Sequence, residues 1–488
     1  MPFLLTDPAW PRALDRPPGP AEPLGEGLRG RNYRRLAAVG PWGDSLFAKA
    51  LAAGAAGLRR ARHEFSVGQA MVRAEVPVPH PWALWADEDE ILLLFEDLGP
   101  EAGISHDEFL ERPGLLEATA RAVAAMHRAG LCHRDLHLDN VLRRPDGSPV
   151  LADFAKARWR RRLTRRDRMR DLGRLVGSIL PAAHETLCRF AEAYEGTETA
   201  CSSFCDEVEE AGYRRLRRHH ANLDRRARRL VRGAHPRLLR DSRPEVADLA
   251  DDPDPDERMQ RPLLKEGARS RVGRVLLGRG TAILKHYLPT GRPDPRDRLG
   301  FSKAVRSLLA AESLLRRSIP AARPLAAWSR PGRGSWLLLE DLPGHAPLDR
   351  ALLELEPAKR GHLLAETARY LAWMHRCGVA CRDLKPSNLL ADPQAPPGRR
   401  LVLIDHDRNR FRTEAVDRRL AIRDLAALHA GLPPEIRASE RLRALLTYDP
   451  RLTARPEWRR WVRPLLEEAA ARDHRWRPRR LLAGEAGA

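Results

Sequence analysis

The sequence predicts an α+β fold built twice in tandem: two bilobal domains, each a small antiparallel sheet followed by a mostly helical lobe. Three observations carry this. At 488 residues the chain is too long for one ordinary core. One phrase is written twice, His133-Arg134-Asp135-Leu136-His137-Leu138-Asp139-Asn140 and Cys381-Arg382-Asp383-Leu384-Lys385-Pro386-Ser387-Asn388. Around each copy the same order of apolar strand, periodic helix, loop and second apolar strand recurs.

Taken in chain order, each element has its reason. Residues 1–21 precede any repeated pattern and read as an N-terminal extension; 22–240 form the first domain, 241–261 a linker and 262–488 the second domain. Near the start of each domain a short apolar strand ends in a lysine, Leu46-Phe47-Ala48-Lys49 and Ala282-Ile283-Leu284-Lys285. A helical segment follows, and then Val76-Pro77, Pro81 and Trp85, which repeat as Ile319-Pro320, Pro324 and Trp328. Leu92 to Leu98 and Leu337 to Leu342 are apolar runs of strand length ending in an acidic turn, expected as the strand and hinge beneath an adenine. The helix before each loop repeats most closely. Thr119-Ala120-Arg121 and Met126-His127-Arg128 answer to Thr367-Ala368-Arg369 and Met374-His375-Arg376, with apolar positions at a helical period. After each loop a hydrophobic strand ends at Asp153 or Asp405, and Arg170-Asp171-Leu172 or Arg423-Asp424-Leu425 opens a further helix. The linker reading rests on Pro244, Pro253, Pro255 and eight acidic residues in an otherwise basic chain.

With 43% hydrophobic and 31% charged residues, both halves are expected to bury cores. Lysine is informative here. Only seven lysines stand among 86 basic residues, so where any cation would serve the chain writes Arg, and a Lys marks a need for a compact ammonium on a flexible stem.

The ordered set Lys, Glu, Asp, Asn, Asp matches the needs of phosphoryl transfer: charge neutralised on a nucleotide, cations held between phosphates, and an acceptor hydroxyl aligned beside an acid–base group. In the first half Asp135 is the expected base, Asn140 and Asp153 supply oxygens suited to Mg²⁺, Lys49 reaches the nucleotide phosphates, and Glu64 pairs with Lys49. In the second half Lys285, Asp383, Asn388 and Asp405 are the counterparts. Lys385, at the position of His137, is expected against the transferred phosphate. The helix glutamate does not repeat in register: Ser307 answers to Glu64, and the nearest glutamate is Glu312. Either that helix is shorter or the pairing is lost. His133 and Cys381 read as packing beneath the loop. The glycines ahead of each lysine, Gly25, Gly27, Gly30, Gly40 and Gly43, then Gly267, Gly273, Gly278 and Gly280, read as turns between strands, which leaves the phosphate-covering loop unplaced.

On these residues both halves resemble the protein-kinase-like superfamily, most closely its bacterial lipopolysaccharide kinase branch, whose members phosphorylate core heptose or Kdo. The resemblance rests on Lys49, Glu64, Val76-Pro77, the loop from His133 to Asn140, Asp153, and the basic stretch running into Asp171-Leu172. It implies protein-kinase-like bilobal domains, ATP and Mg²⁺ as cofactors and a sugar hydroxyl as acceptor. Two features of the sequence favour a glycan over a protein acceptor. The segment from Asp153 to Asp171 is short and lacks an A-P-E motif. It is also dense in arginine, from Arg158 through Arg160, Arg161, Arg162, Arg165, Arg166 and Arg168 to Arg170, which suits an anionic sugar or lipopolysaccharide-type acceptor.

A protein serine/threonine kinase is the alternative favoured by Arg382 to Asn388; a pseudokinase scaffold with one or both halves inactive and a small-molecule phosphotransferase also fit the loops. The net charge of +20 is expected to serve peripheral contact with an anionic membrane rather than a specific nucleic acid. No apolar run reaches about 18 residues and the N-terminus lacks the basic, greasy character of a signal peptide, so a cytoplasmic protein at the inner membrane is expected. Six cysteines without a paired framework agree with a reducing compartment, and Cys201 and Cys205 match no metal or redox spacing.

Overall fold

The structure is a computed structural model that describes residues 3–10, 17, 21–27, 31–41, 43–197, 202–231, 237–289, 300–396, 398–453 and 455–484. Gly30, Cys201 and most of the expected extension over 1–21 therefore lie outside the described residues. The chain forms two compact units, Met1–Leu216 and Arg217–Ala488, and the division falls within the helix Ser202–Val231.

The first unit opens with six strands: β1 (Phe3–Thr6), β2 (Ala21–Gly27), β3 (Arg31–Gly40), β4 (Gly43–Ala52), β5 (Pro81–Ala86) and β6 (Glu90–Glu96). They lie in the order β1-β5-β6-β4-β3-β2, every pair antiparallel. Phe3–Thr6, within the expected extension, is thus part of this sheet. Helix α1 (Ala55–Arg73) follows β4 and turns Ala61, Glu64, Phe65, Gly68 and Met71 inward, a spacing that keeps one stripe against the sheet. After the sheet come the helices Pro113–Arg128, Arg165–Ile179 and His184–Glu195 and a short hairpin, Val141–Arg143 with Pro149–Leu151.

The second unit repeats the plan. Its sheet runs Arg237–Leu239, Pro324–Arg330, Gly334–Glu340, Gly280–Tyr287, Ser270–Leu277, Lys265–Gly267, all antiparallel. Register is kept: Lys49 faces Leu93 across the ladder, and Lys285 faces Leu337. The helix after the lysine strand spans Lys303–Leu315, shorter than α1. The catalytic-type loop follows Pro357–Arg376, and Arg418–Gly431 answers to Arg165–Ile179.

Residues 241–261, expected as a linker, are folded. Pro244 and Pro255 stand in the first turns of the helix Pro244–Asp251 and of a 3₁₀ turn, where a missing N–H costs nothing. The acids there are engaged: Asp256 accepts from His286 (2.7 Å) and from the Trp336 indole (2.9 Å). Val246, Leu249, Ala250 and Met259 are buried with Val275, Leu284 and Trp336 in one core. A composition of prolines and acids looked like a spacer because the same residues cap short helices.

Candidate active site

Lys49 sits on the central strand β4, 4% exposed, between two carboxylates. Its Nζ lies 2.6 Å from Glu64 Oε1, carried on the buried stripe of α1, and 2.8 Å from Asp153 Oδ1. Removing an ammonium from water costs several kcal/mol unless partners replace the lost hydration. Burial pushes the Lys49 pKa down, but Glu64 and Asp153 outweigh it and hold the group above the ordinary lysine value. A cleft of about 500 Å³ opens beside it, lined by Leu24, Phe47, Leu142, Lys49, Asn140 and Asp153, with the Glu96–Leu98 edge on one side. Glu96 is held by a two-pronged bond from Arg144 (2.9 Å each), and Asp97 accepts from Arg35 (2.5 Å) and Ser45 (2.7 Å).

Asp135 lies in the loop beneath this cleft. Asn140 Nδ2 donates to its carbonyl oxygen (2.8 Å), and Ala152 N donates to Asn140 O (2.9 Å), so the two chemical loops are tied through their backbones. Asn140 and Asp153 line the same cleft, and a neutral side-chain amide oxygen with a carboxylate is a donor set that suits a hard divalent cation. The Asp135 carboxylate is hydrogen-bonded by Lys156 and lies 3.5 Å from Arg174. Burial raises its pKa, but Lys156, His137 and Arg174 together hold it below the usual carboxylate value.

The loop itself is strained and clamped. Arg134 (φ +66°) and Asp153 (φ +57°) are both left-handed, a conformation costing a side-chain-bearing residue roughly 1–3 kcal/mol. Asp171, buried on the helix Arg165–Ile179, accepts the backbone N–H groups of His133 (2.7 Å) and Arg134 (2.8 Å), while His127 Nε2 donates to it from 3.4 Å. His133 itself donates to Ala152 O (2.9 Å) and packs on Phe154; burial lowers its pKa.

The second unit assembles the same residues differently. Lys285 pairs with Asp405 at 2.9 Å, but Ser307 occupies the glutamate's place and bonds the Tyr287 hydroxyl at 2.9 Å. The Lys285 ammonium lies over the Tyr287 ring, 4.9 Å from its centroid. Glu312 turns to Arg240 (2.5 Å) and Arg316 (3.5 Å), so the helix is shorter and the lysine–glutamate pair is lost. Asn388 Nδ2 donates to Asp383 O (2.9 Å), and Lys385 lies 3.0 Å from Asp383. Neither Arg382 nor Asp405 has a positive φ among the described residues. Asp424 accepts the N–H of Cys381 (2.7 Å), and no bond from Arg382 N is formed among the described residues. His406, at the position of Phe154, donates to Leu403 O (2.8 Å); burial pushes its pKa down to about 4.

Two features of the candidate site escaped the sequence reading. Lys156 stands three residues past Asp153, and its ammonium meets Asp135 as Lys385 meets Asp383 from a different loop position. Its rarity in an arginine-rich chain was the available signal. The second is glycine spacing: Gly25, Gly27 and Gly30 stand at G-x-G-x-x-G. Gly25 and Gly27 end β2, which pairs with β3, and β3 with the lysine strand β4, the place where a phosphate-covering turn belongs.

A family model described as the lipopolysaccharide kinase (Kdo/WaaP) family matches residues 44–194 and 294–447, more than half of the chain and once in each unit. The chain is 34% identical over 130 residues to the 3-deoxy-D-manno-octulosonic acid kinase of Xanthomonas euvesicatoria pv. vesicatoria (strain 85-10), covering 26% of this chain and 52% of that protein. The proteins of the same name from Xanthomonas oryzae pv. oryzae (strain PXO99A) and Xanthomonas campestris pv. campestris (strain B100) match to the same extent. The chain thus spans about half the length of these relatives. Among the described residues no helix is long and apolar enough to cross a membrane.

Proposed function

The chain belongs to the lipopolysaccharide kinase (Kdo/WaaP) family, and from that membership we propose that it is an ATP- and Mg²⁺-dependent sugar kinase in which the first unit carries the chemistry. The observation that supports this most is the convergence of Lys49, Glu64 and Asp153 on one cleft beside Asp135. When bound, ATP supplies the transferred phosphoryl group and Mg²⁺ neutralises its charge, with Asn140 and Asp153 as the holding residues. Lys49 is oriented by Glu64 toward the nucleotide phosphates. Asp135 accepts the proton of the acceptor hydroxyl, and Lys156 keeps that carboxylate ionised and aimed.

The acceptor we propose is an anionic sugar of the lipopolysaccharide type. The relatives are named for 3-deoxy-D-manno-octulosonic acid, which carries a carboxylate, and all the arginines from Arg158 to Arg170 are exposed here. Such a surface also suits work at an anionic membrane face from the cytoplasmic side. For the second unit we favour a non-catalytic role, because it lacks the Lys–Glu pair and the clamped, left-handed loop.

ATP consumption measured with lipopolysaccharide core against a generic protein substrate tests the reading. Turnover is expected with the former, abolished in Asp135→Asn and nearly intact in Asp383→Asn. Turnover with the protein substrate alone would support the serine/threonine kinase reading instead, and loss only in Asp383→Asn would reverse the assignment of the units.

A further inference from the structure

The second unit holds a cleft that the phosphoryl-transfer chemistry does not use. It measures about 580 Å³ and is lined by Arg382, Arg408, Arg410, Arg423 and Arg472 around Asn409. It forms because the strand Asn409–Phe411 pairs with Val379–Cys381, which brings alternate residues of the metal-loop strand beside the start of the catalytic-type loop, while Arg423 rises from the helix Arg418–Gly431.

Charge in this cleft is only partly compensated. Arg472 pairs with Glu468 (3.1 Å) and Arg408 lies 3.7 Å from Asp383, but the side chains of Arg382, Arg410 and Arg423 have no partner among the described residues. The one carboxylate in the lining, Asp407, is engaged by Lys303 at 3.1 Å. Both polar atoms of the Asn409 side chain are shielded from solvent and unbonded. The first unit offers a contrast: Asp167 stands three residues before Arg170 and acts on it, whereas the matching position before Arg423 is Leu420. Like charges gathered without a counter-charge repel by amounts that a bound anion removes, and guanidinium forks match tetrahedral oxyanions in geometry.

We propose that this arginine cleft of the second unit is a binding site for a phosphate-type oxyanion, either free phosphate or the phosphate of a sugar. The volume admits the oxyanion together with the group that carries it. The inference is independent of whether either unit transfers phosphate.

Calorimetric titration of the full chain with inorganic phosphate, at constant ionic strength in chloride, tests it. Saturable binding is expected in the wild type, weakened at least about tenfold in Arg410→Gln/Arg423→Gln. Binding is expected to persist in Lys49→Met and in Arg463→Gln, a surface arginine paired with Glu467. A hexose 6-phosphate that binds more tightly than phosphate identifies a sugar phosphate as the ligand class; equal binding identifies phosphate itself. Absence of saturable binding, an unchanged double variant, or an equal loss in Arg463→Gln or Lys49→Met would overturn the site.

Discussion

At Asp135 the proposed chemistry leans most on one ammonium. Lys156 replaces water around the carboxylate, and its positive charge stabilises the ionised form over the protonated one. Because the folded pKa is depressed, activity is expected to fall only below the usual carboxylate pKa. Lys156→Met leaves burial as the main remaining influence. Its kcat is expected to drop about 100-fold, with the acid limb of the pH–rate profile moving up; an unmoved limb would show that Lys156 does not act on Asp135. Glu64→Ala removes one of the two carboxylates around buried Lys49, and a loss of about 3 kcal/mol in the unfolding free energy of the first unit is expected from denaturant titration. His406 carries a sign of its own. With a folded pKa of about 4 against about 6.5 unfolded, it takes up its proton more readily in the unfolded chain, so stability falls as pH drops from 6.5 toward 4. His406→Phe, which writes the first unit's Phe154 into the second, is expected to flatten that slope in thermal melts between pH 4 and 7.

Between elements the decisive contact is a helix reaching up to a loop. Asp171 sits where the sequence opens a helix with Arg170-Asp171-Leu172, and that much was legible from the repeated triplet. Its hold on the N–H groups of His133 and Arg134, which sustains the left-handed Arg134, depends on the helix lying under the loop. Asp171→Asn is expected to lower kcat about 100-fold and destabilise the first unit by about 2–3 kcal/mol, since a buried charged acceptor is lost. Asp424→Asn, which holds one loop N–H, is expected to cost less in the same melts. The glycines that end the preceding helices are a second element-level device. Gly130 (φ +84°) and Gly378 (φ +77°) let the strand after the metal loop approach, with Arg160 N and Arg412 N donating to their carbonyls at 2.9 and 2.8 Å. A Cβ there would meet the facing carbonyl at 2.8 or 2.6 Å.

For the whole chain, charge and duplication set the expectations. A net charge of +20 concentrated in arginine attracts anions over distances that salt shortens. Replacing Arg160, Arg161 and Arg162 with glutamine is expected to raise KM for an anionic acceptor several-fold while leaving KM for ATP within twofold. The wild-type acceptor KM is likewise expected to rise with ionic strength. Equal effects on both constants would remove the arginine run from the acceptor site.

The tandem plan, the lysine strands, the paired helices and the order Lys, Asp, Asn, Asp were readable from residues alone, because periodicity and spacing are properties of the covalent chain. So was the missing glutamate of the second half, once Ser307 was counted against Glu64. Which groups meet was not readable. That Lys156 serves Asp135, that Tyr287 and Ser307 fill the gap beside Lys285, and that residues 241–261 build a core were settled by neighbours brought together from distant positions. Spacing along the chain carries periodicity, but the charge partner of a buried side chain is chosen through space, where desolvation makes the nearest counter-charge decisive.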